Sequence, residues 1–156
     1  HTVSMIYAII AALIFALDMG IKNWIERKIP DGKERRVGGG LLLIRKYHNE
    51  GAFLNMGEKK RGLVALVSIA LTLALTVLFL VTFTCRGSRL LKSGLALLLG
   101  GAYSNTYDRM RRRYVVDYVS FPVRNKAIRN IVFNISDFCI MIGALLMVLG
   151  SAPSNS

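Results

Sequence analysis

Apolar residues in this chain gather into long continuous runs instead of the spaced positions of an amphipathic helix. Residues 62–83 carry no charge, and residues 131–150 carry Asp137 as their one charge. Because a helix needs about 20 mostly apolar residues to cross a bilayer, both segments are predicted to span a membrane. Two further runs, residues 5–25 and 90–107, have similar length with two charges and one charge. The pattern predicts an all-α membrane protein of four spanning helices.

The first run has one alternative. Residues 5–17 have the length of the apolar core of a secretory signal peptide, but the basic residues and small-x-small cleavage site of such a signal are absent. We therefore expect a spanning helix. We also expect residues 1–4 to be a cloning remnant and residues 151–156 to be a polar tail, so that residues 5–150 form one membrane domain.

Two long connections fall on the same side of the membrane if the four spans alternate in direction. They are residues 26–61 and 109–130, and each contains a β-prone run, Leu41–Ile44 in the first and Tyr114–Val119 in the second. We expect these runs to pair as a small sheet at the membrane surface. The opposite side has only a short link near residues 84–89, so one face of the protein is elaborated and the other is plain.

The formal net charge of +12 resides mostly in these connections. Nucleic acid is therefore a poor explanation for it, and anionic lipid headgroups are the expected counter-charge. Ten Lys and Arg residues lie in residues 26–61 and seven in residues 109–130. The positive-inside rule, taken alone, places this face in the cytoplasm.

The motif Asn-x-x-Asp occurs twice at the ends of predicted spans. Asn105 to Asp108 lies at the end of the third span, and Asn134 to Asp137 lies near the start of the fourth. Alternating helices bring both to the same membrane face. Two neighbouring carboxylates share a proton, so one can deprotonate water while the other hydrogen-bonds a scissile carbonyl. The alternative is structural: Asn134 and Asp137 also fit a helix capping box, and Asp108 fits a solvated helix end.

Other polar positions have simpler interpretations. Asp18 and Lys22 share a helix face at i, i+4, so a structural ion pair is more probable than chemistry. Asn49 beside Gly is typical of a turn, although it could contact a substrate backbone. We find no motif for zinc, nucleotide or serine chemistry, and we expect no metal or other cofactor. Small residues on the third span, Gly94, Gly100, Gly101 and Ala102, predict close helix packing.

Five motifs in order resemble the bacterial lipoprotein signal peptidase family, signal peptidase II. They are Asp18-x-x-x-Lys22, Asn49-x-Gly51-Ala52, Gly100-Gly101-Ala102-x-x-Asn105-x-x-Asp108-Arg109, Val115-Val116-Asp117-Tyr118 and Phe133-Asn134-x-x-Asp137. The resemblance covers nearly the whole chain. It implies a four-helix intramembrane aspartyl protease that cleaves diacylglyceryl-modified prolipoproteins before the lipidated cysteine, without a cofactor.

The resemblance also implies roles for single residues. Asp108 and Asp137 fall on the catalytic pair. The supporting and substrate-facing positions are Asn105, Asn134, Arg109, Asn49 and Gly51, and the motif closing the first helix is Asp18 and Lys22. The family's active site faces outward from the bacterial cytoplasmic membrane, which conflicts with the charge rule. We prefer the motif-based orientation, because basic loops can also bind anionic lipid of the outer leaflet.

The chain departs from the family pattern at several positions. Ser104, Ser120 and Ser136 stand where the family usually has Gly, an acidic residue and Ala, and the loop motif at Gly51 is one small residue short. Two other functions therefore stay open: a non-catalytic bundle in which the buried charges relay protons or ions, and a former protease that binds prolipoprotein without cutting it.

Overall fold

The computed structural model describes residues 2–51, 58–84 and 88–152. Four long helices dominate these ranges: α1 (Thr2–Lys28), α2 (Glu58–Thr84), α3 (Arg89–Arg111) and α5 (Ile135–Ser151), with a short α4 at Lys126–Arg129. Segments Ser4–Lys28 and Lys60–Thr84 are long and apolar enough to cross a membrane, and α5 is apolar but shorter. Two of the four predicted spans thus have clear support, and residues 2–4 belong to α1.

The start of α5 differs from the prediction. Residues 131–134 are not helical, because Phe133 forms an isolated β-bridge with Val119 and Asn134 caps the helix. The capping box is formed in both directions, from Asp137 N to Asn134 Oδ1 and from Asn134 N to Asp137 Oδ2, each at 2.9 Å. Asp137 therefore lies only ~3 Å along the helix axis from Ile135, instead of the ~9 Å expected for a helix starting at residue 131.

Helix α3 lies at the centre of the bundle and packs against α1, α2 and α5. Its glycines permit the closest approaches: a Cβ built on Gly94 would lie 2.6 Å from the carbonyl oxygen of Gly143, and one on Gly101 would lie 2.6 Å from that of Ser136. No side chain fits at such distances. The predicted small-residue packing surface is confirmed, and it brings the ends of α3 and α5 together.

A three-stranded antiparallel sheet, in the order β1-β2-β3, caps one end of the bundle. The strands are β1 (Glu34–Val37), β2 (Leu42–Asn49) and β3 (Val115–Ser120). Pairing of the two β-prone runs is confirmed, with Ile44 opposite Val119, and β2 continues five residues further than predicted.

Strand β3 joins this sheet to the bundle. All six of its residues are buried, and Val116, Tyr118 and Val119 pack against Ile25 and Ile29 at the end of α1. This contact fixes the sheet against the helices, so side chains from β2 and β3 are held beside the ends of α3 and α5.

Candidate active site

Asp117 lies in the middle of β3 and is 3% exposed. Its two carboxylate oxygens accept hydrogen bonds from amide side chains on different elements. Asn134 Nδ2 donates to Oδ1 at 2.9 Å, and Asn49 Nδ2 donates to Oδ2 at 3.3 Å. The carboxyl group is thus held by neutral donors at the junction of the sheet and α5.

Asp137 lies in the first turn of α5 and is held in a similar way. Asn105 Nδ2, from α3, donates to Oδ1 at 3.3 Å, and the backbone N–H of Asn134 donates to Oδ2. Asn134 therefore contacts both Asp117 and Asp137. The two carboxyl groups line one cavity of about 350 Å³, together with Asn49, Val132, Phe133, Ile140 and Met141.

The environment of Asp117 favours its protonated form. Burial, and then the negative charge of Asp137, raise the pKa of Asp117 to about 8, although the hydrogen bond from Asn49 opposes the shift. A carboxylic acid that keeps its proton near neutral pH, beside a second carboxyl group, is suited to acid–base chemistry.

Asp108 has different partners from those that the sequence predicted. One oxygen pairs with Lys22 Nζ at 3.1 Å and accepts the N–H of Val116 at 3.0 Å, and the other pairs with Arg112 Nε at 2.9 Å. Both oxygens of this fully buried carboxylate are thus engaged by cations and backbone. Asp108 does not line the cavity that contains Asp137, so the geometry does not support the predicted pairing of these two residues.

The predicted ion pair between Asp18 and Lys22 is confirmed, with Nζ and Oδ2 3.1 Å apart and both side chains fully buried. Lys22 reaches further than expected. Its ammonium also donates to Ser104 Oγ at 2.9 Å and to Asn105 Oδ1 at 3.0 Å, in addition to pairing with Asp108. The pair therefore belongs to a buried polar cluster directly behind the cavity.

Asn49 makes the predicted turn and also contacts Asp117, while its contact with a substrate backbone stays a prediction. Its Oδ1 accepts the backbone N–H of Gly51 at 2.9 Å, which makes the expected turn, while its amide nitrogen reaches Asp117. Gly51 has a positive φ of 84°, a backbone conformation that favours glycine. Ala52 and Phe53, the rest of the loop motif, lie outside the described residues.

Arg109 lines a second cavity, of about 680 Å³, between α2 and α3. Two further arginines, Arg61 and Arg113, line it too, and Arg61 pairs with Glu50 at 3.2 Å. The structure thus places Arg109 next to the acidic site without a hydrogen bond to it among the described residues, although its charge acts on Asp117 through space.

Of the three serines that depart from the family pattern, two contact the same carboxylate, that of Asp18. Ser104 Oγ and Ser136 Oγ donate to Asp18 Oδ2 at 2.7 Å and 2.5 Å. The third, Ser120, is fully buried at the end of β3, and its hydroxyl has no hydrogen-bond partner among the described residues.

Asp117 was predicted from the sequence only as part of the motif Val115-Val116-Asp117-Tyr118, with no chemical role. The available signal was an acid flanked on both sides by β-prone apolar residues, since a buried carboxyl group in a strand needs a specific environment. The described residues contain no group of three or more His, Cys, Asp or Glu side chains placed to hold a metal ion.

Comparison with known proteins gives a consistent result. The family model described as signal peptidase (SPase) II matches residues 10–152. A lipoprotein signal peptidase of Lactiplantibacillus plantarum is 30% identical, with 97% of each chain covered. One from Mesorhizobium japonicum is 35% identical, over 96% of this chain and 90% of the relative.

Solved structures extend the comparison to the fold. A bacterial membrane enzyme solved by the in meso method at 1.9 Å resolution superposes with a TM-score of 0.77 at 24% identity. The match covers 92% of this chain and 90% of that one. A second such structure gives a TM-score of 0.75. The arrangement of helices and sheet is therefore shared with a membrane enzyme.

Proposed function

The chain belongs to the signal peptidase II family, whose members cleave lipoprotein signal peptides, and from this premise we propose that it is an aspartic endopeptidase whose catalytic pair is Asp117 and Asp137. One observation carries the proposal: Asn134 contacts both carboxyl groups, and both line the same cavity. The sequence-based choice of Asp108 as a member of the pair is replaced, since two cations hold it.

The two carboxyl groups have different roles in the reaction, one as base and one as acid. Asp137, as the carboxylate, takes a proton from a water molecule whose oxygen attacks the scissile carbonyl carbon. Asp117, as the acid, hydrogen-bonds the carbonyl oxygen while negative charge develops on it. Collapse of the tetrahedral intermediate breaks the C–N bond, and the proton taken from water passes to the leaving amine. No covalent intermediate with the protein is formed.

The substrate that we propose is a diacylglyceryl-modified prolipoprotein, cut immediately before the lipidated cysteine. Its lipid chains would remain against the apolar helices, while the peptide next to the cysteine is held extended beside β3. An extended peptide is needed because a helical one hides its carbonyl groups. The adjoining strands offer a surface for an extended segment.

Membrane localisation agrees with the two long apolar helices and with the membrane-enzyme fold. We propose further that all four long helices span the cytoplasmic membrane of a bacterium, and that the sheet and the acidic pair lie on the outer side. The basic residues of the two long connections would then contact anionic headgroups. Cysteine accessibility in residues 109–130, measured with a membrane-impermeant reagent on intact cells, tests the orientation: labelling supports it, and protection refutes it.

The test of the catalytic pair is cleavage of a synthetic diacylglyceryl-modified prolipoprotein peptide by purified protein in detergent. We expect the wild type to cut before the lipidated cysteine. Asp117→Asn and Asp137→Asn should each lower kcat by at least ~10³-fold while remaining folded, because each removes one member of the acid–base pair. Asp31→Asn is the matched control, since its carboxylate is exposed and contacts Lys46 alone among the residues described.

Asp108→Asn distinguishes the two possible pairs. If Asp108 is structural, variants that still fold keep a measurable fraction of the wild-type kcat. If Asp108→Asn is folded and inactive while Asp117→Asn cleaves normally, the original pairing is correct. Binding of the peptide by the wild type without any cleavage would favour the former protease that only binds its substrate.

A further inference from the structure

We propose that the hydroxyl groups of Ser104 and Ser136 are positioning groups for the reaction: they hold Asp18, which fixes Lys22, and Lys22 sets the orientation of Asn105 against Asp137. Neither serine touches the reacting atoms. The inference rests on the proposed function, since it explains how one of the two catalytic carboxyl groups is kept in place.

The Asp18 carboxylate is held by donors from several elements of the fold. A carboxylate has about four sites for hydrogen-bond donors, two on each oxygen, and four donors contact Asp18, three of them at the same oxygen. Oδ1 accepts the Tyr118 hydroxyl at 2.6 Å, and Oδ2 accepts Ser104, Ser136 and the Lys22 ammonium. Four elements supply these groups: α1, α3, β3 and α5. Every rotation of the Asp18 carboxyl group would break at least one of these contacts, so it is a fixed anchor for Lys22.

The Lys22 ammonium group is held by Asp18 and by three other side chains. An ammonium group has three N–H donors, and four oxygen atoms surround it: those of Asp18, Asp108, Ser104 and Asn105. Ser104 is the link within this group, because its oxygen accepts from Lys22 while its own hydrogen is donated to Asp18. Without that hydroxyl, both the lysine and the aspartate lose a partner.

The Asn105 side chain lies between Lys22 and Asp137 and contacts both. Its side chain can be turned over, exchanging the amide oxygen and nitrogen, and the two orientations present opposite groups to Asp137. Lys22 can only donate, so the Asn105 oxygen must face it, at 3.0 Å. The Asn105 nitrogen is thereby directed to Asp137 Oδ1 at 3.3 Å. Asn134 Nδ2 supports the same orientation by donating to the Asn105 oxygen at 3.0 Å.

The consequence is that two serines, 32 residues apart, act on the reaction through the same chain of contacts. When they are removed, Lys22 is held less firmly, and Asn105 samples the reversed orientation, in which its oxygen faces the Asp137 carboxylate. Such contacts position catalytic carboxyl groups without joining the chemistry. Substrate binding should be unaffected, because both serines are fully buried.

The experiment measures kcat and KM on the lipidated peptide for Ser104→Ala, Ser136→Ala and the double variant. We expect each single change to lower kcat about 3- to 10-fold and the double change ~10- to 50-fold, with KM within about twofold. These factors correspond to the net loss of one ordinary hydrogen bond per serine, since the serines act on the reaction only through other residues. Thr72→Val is the matched control, because it removes another buried hydroxyl–hydroxyl contact, 2.8 Å to Thr106, outside the cluster. It should lower the melting temperature and leave kcat unchanged.

Two further variants separate positioning from packing. Ser136→Cys fills the space of the serine but donates weakly, so positioning predicts a kcat close to that of Ser136→Ala, whereas packing predicts recovery to wild type. In an Asn105→Ala background, adding Ser104→Ala should lower kcat less than twofold further, because the shared chain is already broken.

Any one of three outcomes overturns the proposal. The serine variants could lose stability like Thr72→Val but keep the wild-type kcat, or Ser136→Cys could have the wild-type kcat. The third outcome is that the Ser104→Ala and Asn105→Ala changes, combined, lower kcat by the product of their separate factors. An inactive wild type would instead refute the proposed function, and the positioning role with it. The two failures are therefore distinguishable.

Discussion

The protonated state proposed for Asp117 predicts a specific dependence of stability on pH. An aspartate in the unfolded chain loses its proton near pH 4, whereas burial and the charge of Asp137 raise the pKa of Asp117 to about 8 in the folded protein. Between these values, folding takes up a proton. The free energy of unfolding therefore falls as pH rises through this window, and the contribution is fully present only below about pH 4.

The size of the effect follows from this linkage. One proton corresponds to about 1.4 kcal/mol per pH unit, so wild type should lose up to about 3 kcal/mol between pH 5 and pH 7 through this group. In a chain of this size, 1 kcal/mol shifts the melting temperature by roughly 2–4 °C. Asp117→Asn cannot ionise at this position. The melting temperature of Asp117→Asn minus that of wild type should therefore increase by about 5–10 °C from pH 5 to pH 7.

The assay is thermal unfolding in one detergent at pH 5, 6 and 7, with wild type, Asp117→Asn and Asp31→Asn side by side. The exposed carboxylate of Asp31 makes the third protein a control, whose melting temperature should run parallel to that of wild type. A constant gap between wild type and Asp117→Asn at all three pH values would show that Asp117 does not retain its proton on folding, and would refute this reasoning.

Three further predictions follow from the same geometry. Cleavage should fall about tenfold per pH unit above pH 8, as Asp117 loses its proton; a rate that is flat to pH 10 would contradict its role as the acid. Asp108→Asn should cost about 3–5 kcal/mol in denaturant unfolding, because fully buried Lys22 loses a partner; a cost below 1 kcal/mol would contradict a structural role. Gly101→Ala should destabilise by more than about 2 kcal/mol, since its Cβ would meet backbone at 2.6 Å, whereas Gly20→Ala, with nothing within 4 Å, should be neutral or stabilising.

The sequence predicted the long helices well because a membrane-length apolar run permits few other structures. It predicted the start of α5 poorly. Residues 131–133 are as apolar as the helix that follows, and hydropathy does not distinguish a buried extended segment from a helix. The contact of Phe133 with Val119 decides the matter, and that contact is tertiary. Strand β1 was missed for the same reason: Glu34–Val37 is mostly charged and is a strand because β2 pairs with it.

In the candidate site, too, some features follow from local sequence and others depend on tertiary contacts. The structure brings Asn49, Asn105, Asn134 and Asp137 together, because helix ends and a turn place them, while their roles in catalysis stay predictions. The choice between two acids could not be made locally. Asp108 has the same Asn-x-x-Asp spacing as Asp137, but its environment is set by a lysine 86 residues earlier in the chain.

The contrast between these acids supports the proposal that Asp117 and Asp137, and not Asp108, form the catalytic pair. Asp18 and Asp108 lie against Lys22 and Arg112, so each of these carboxylates is in direct contact with at least one cationic side chain. Among the described residues, Asp117 and Asp137 receive side-chain hydrogen bonds only from asparagines. A neutral amide orients a carboxyl group without fixing its charge, so this pair keeps the freedom to gain and lose a proton that acid–base catalysis requires.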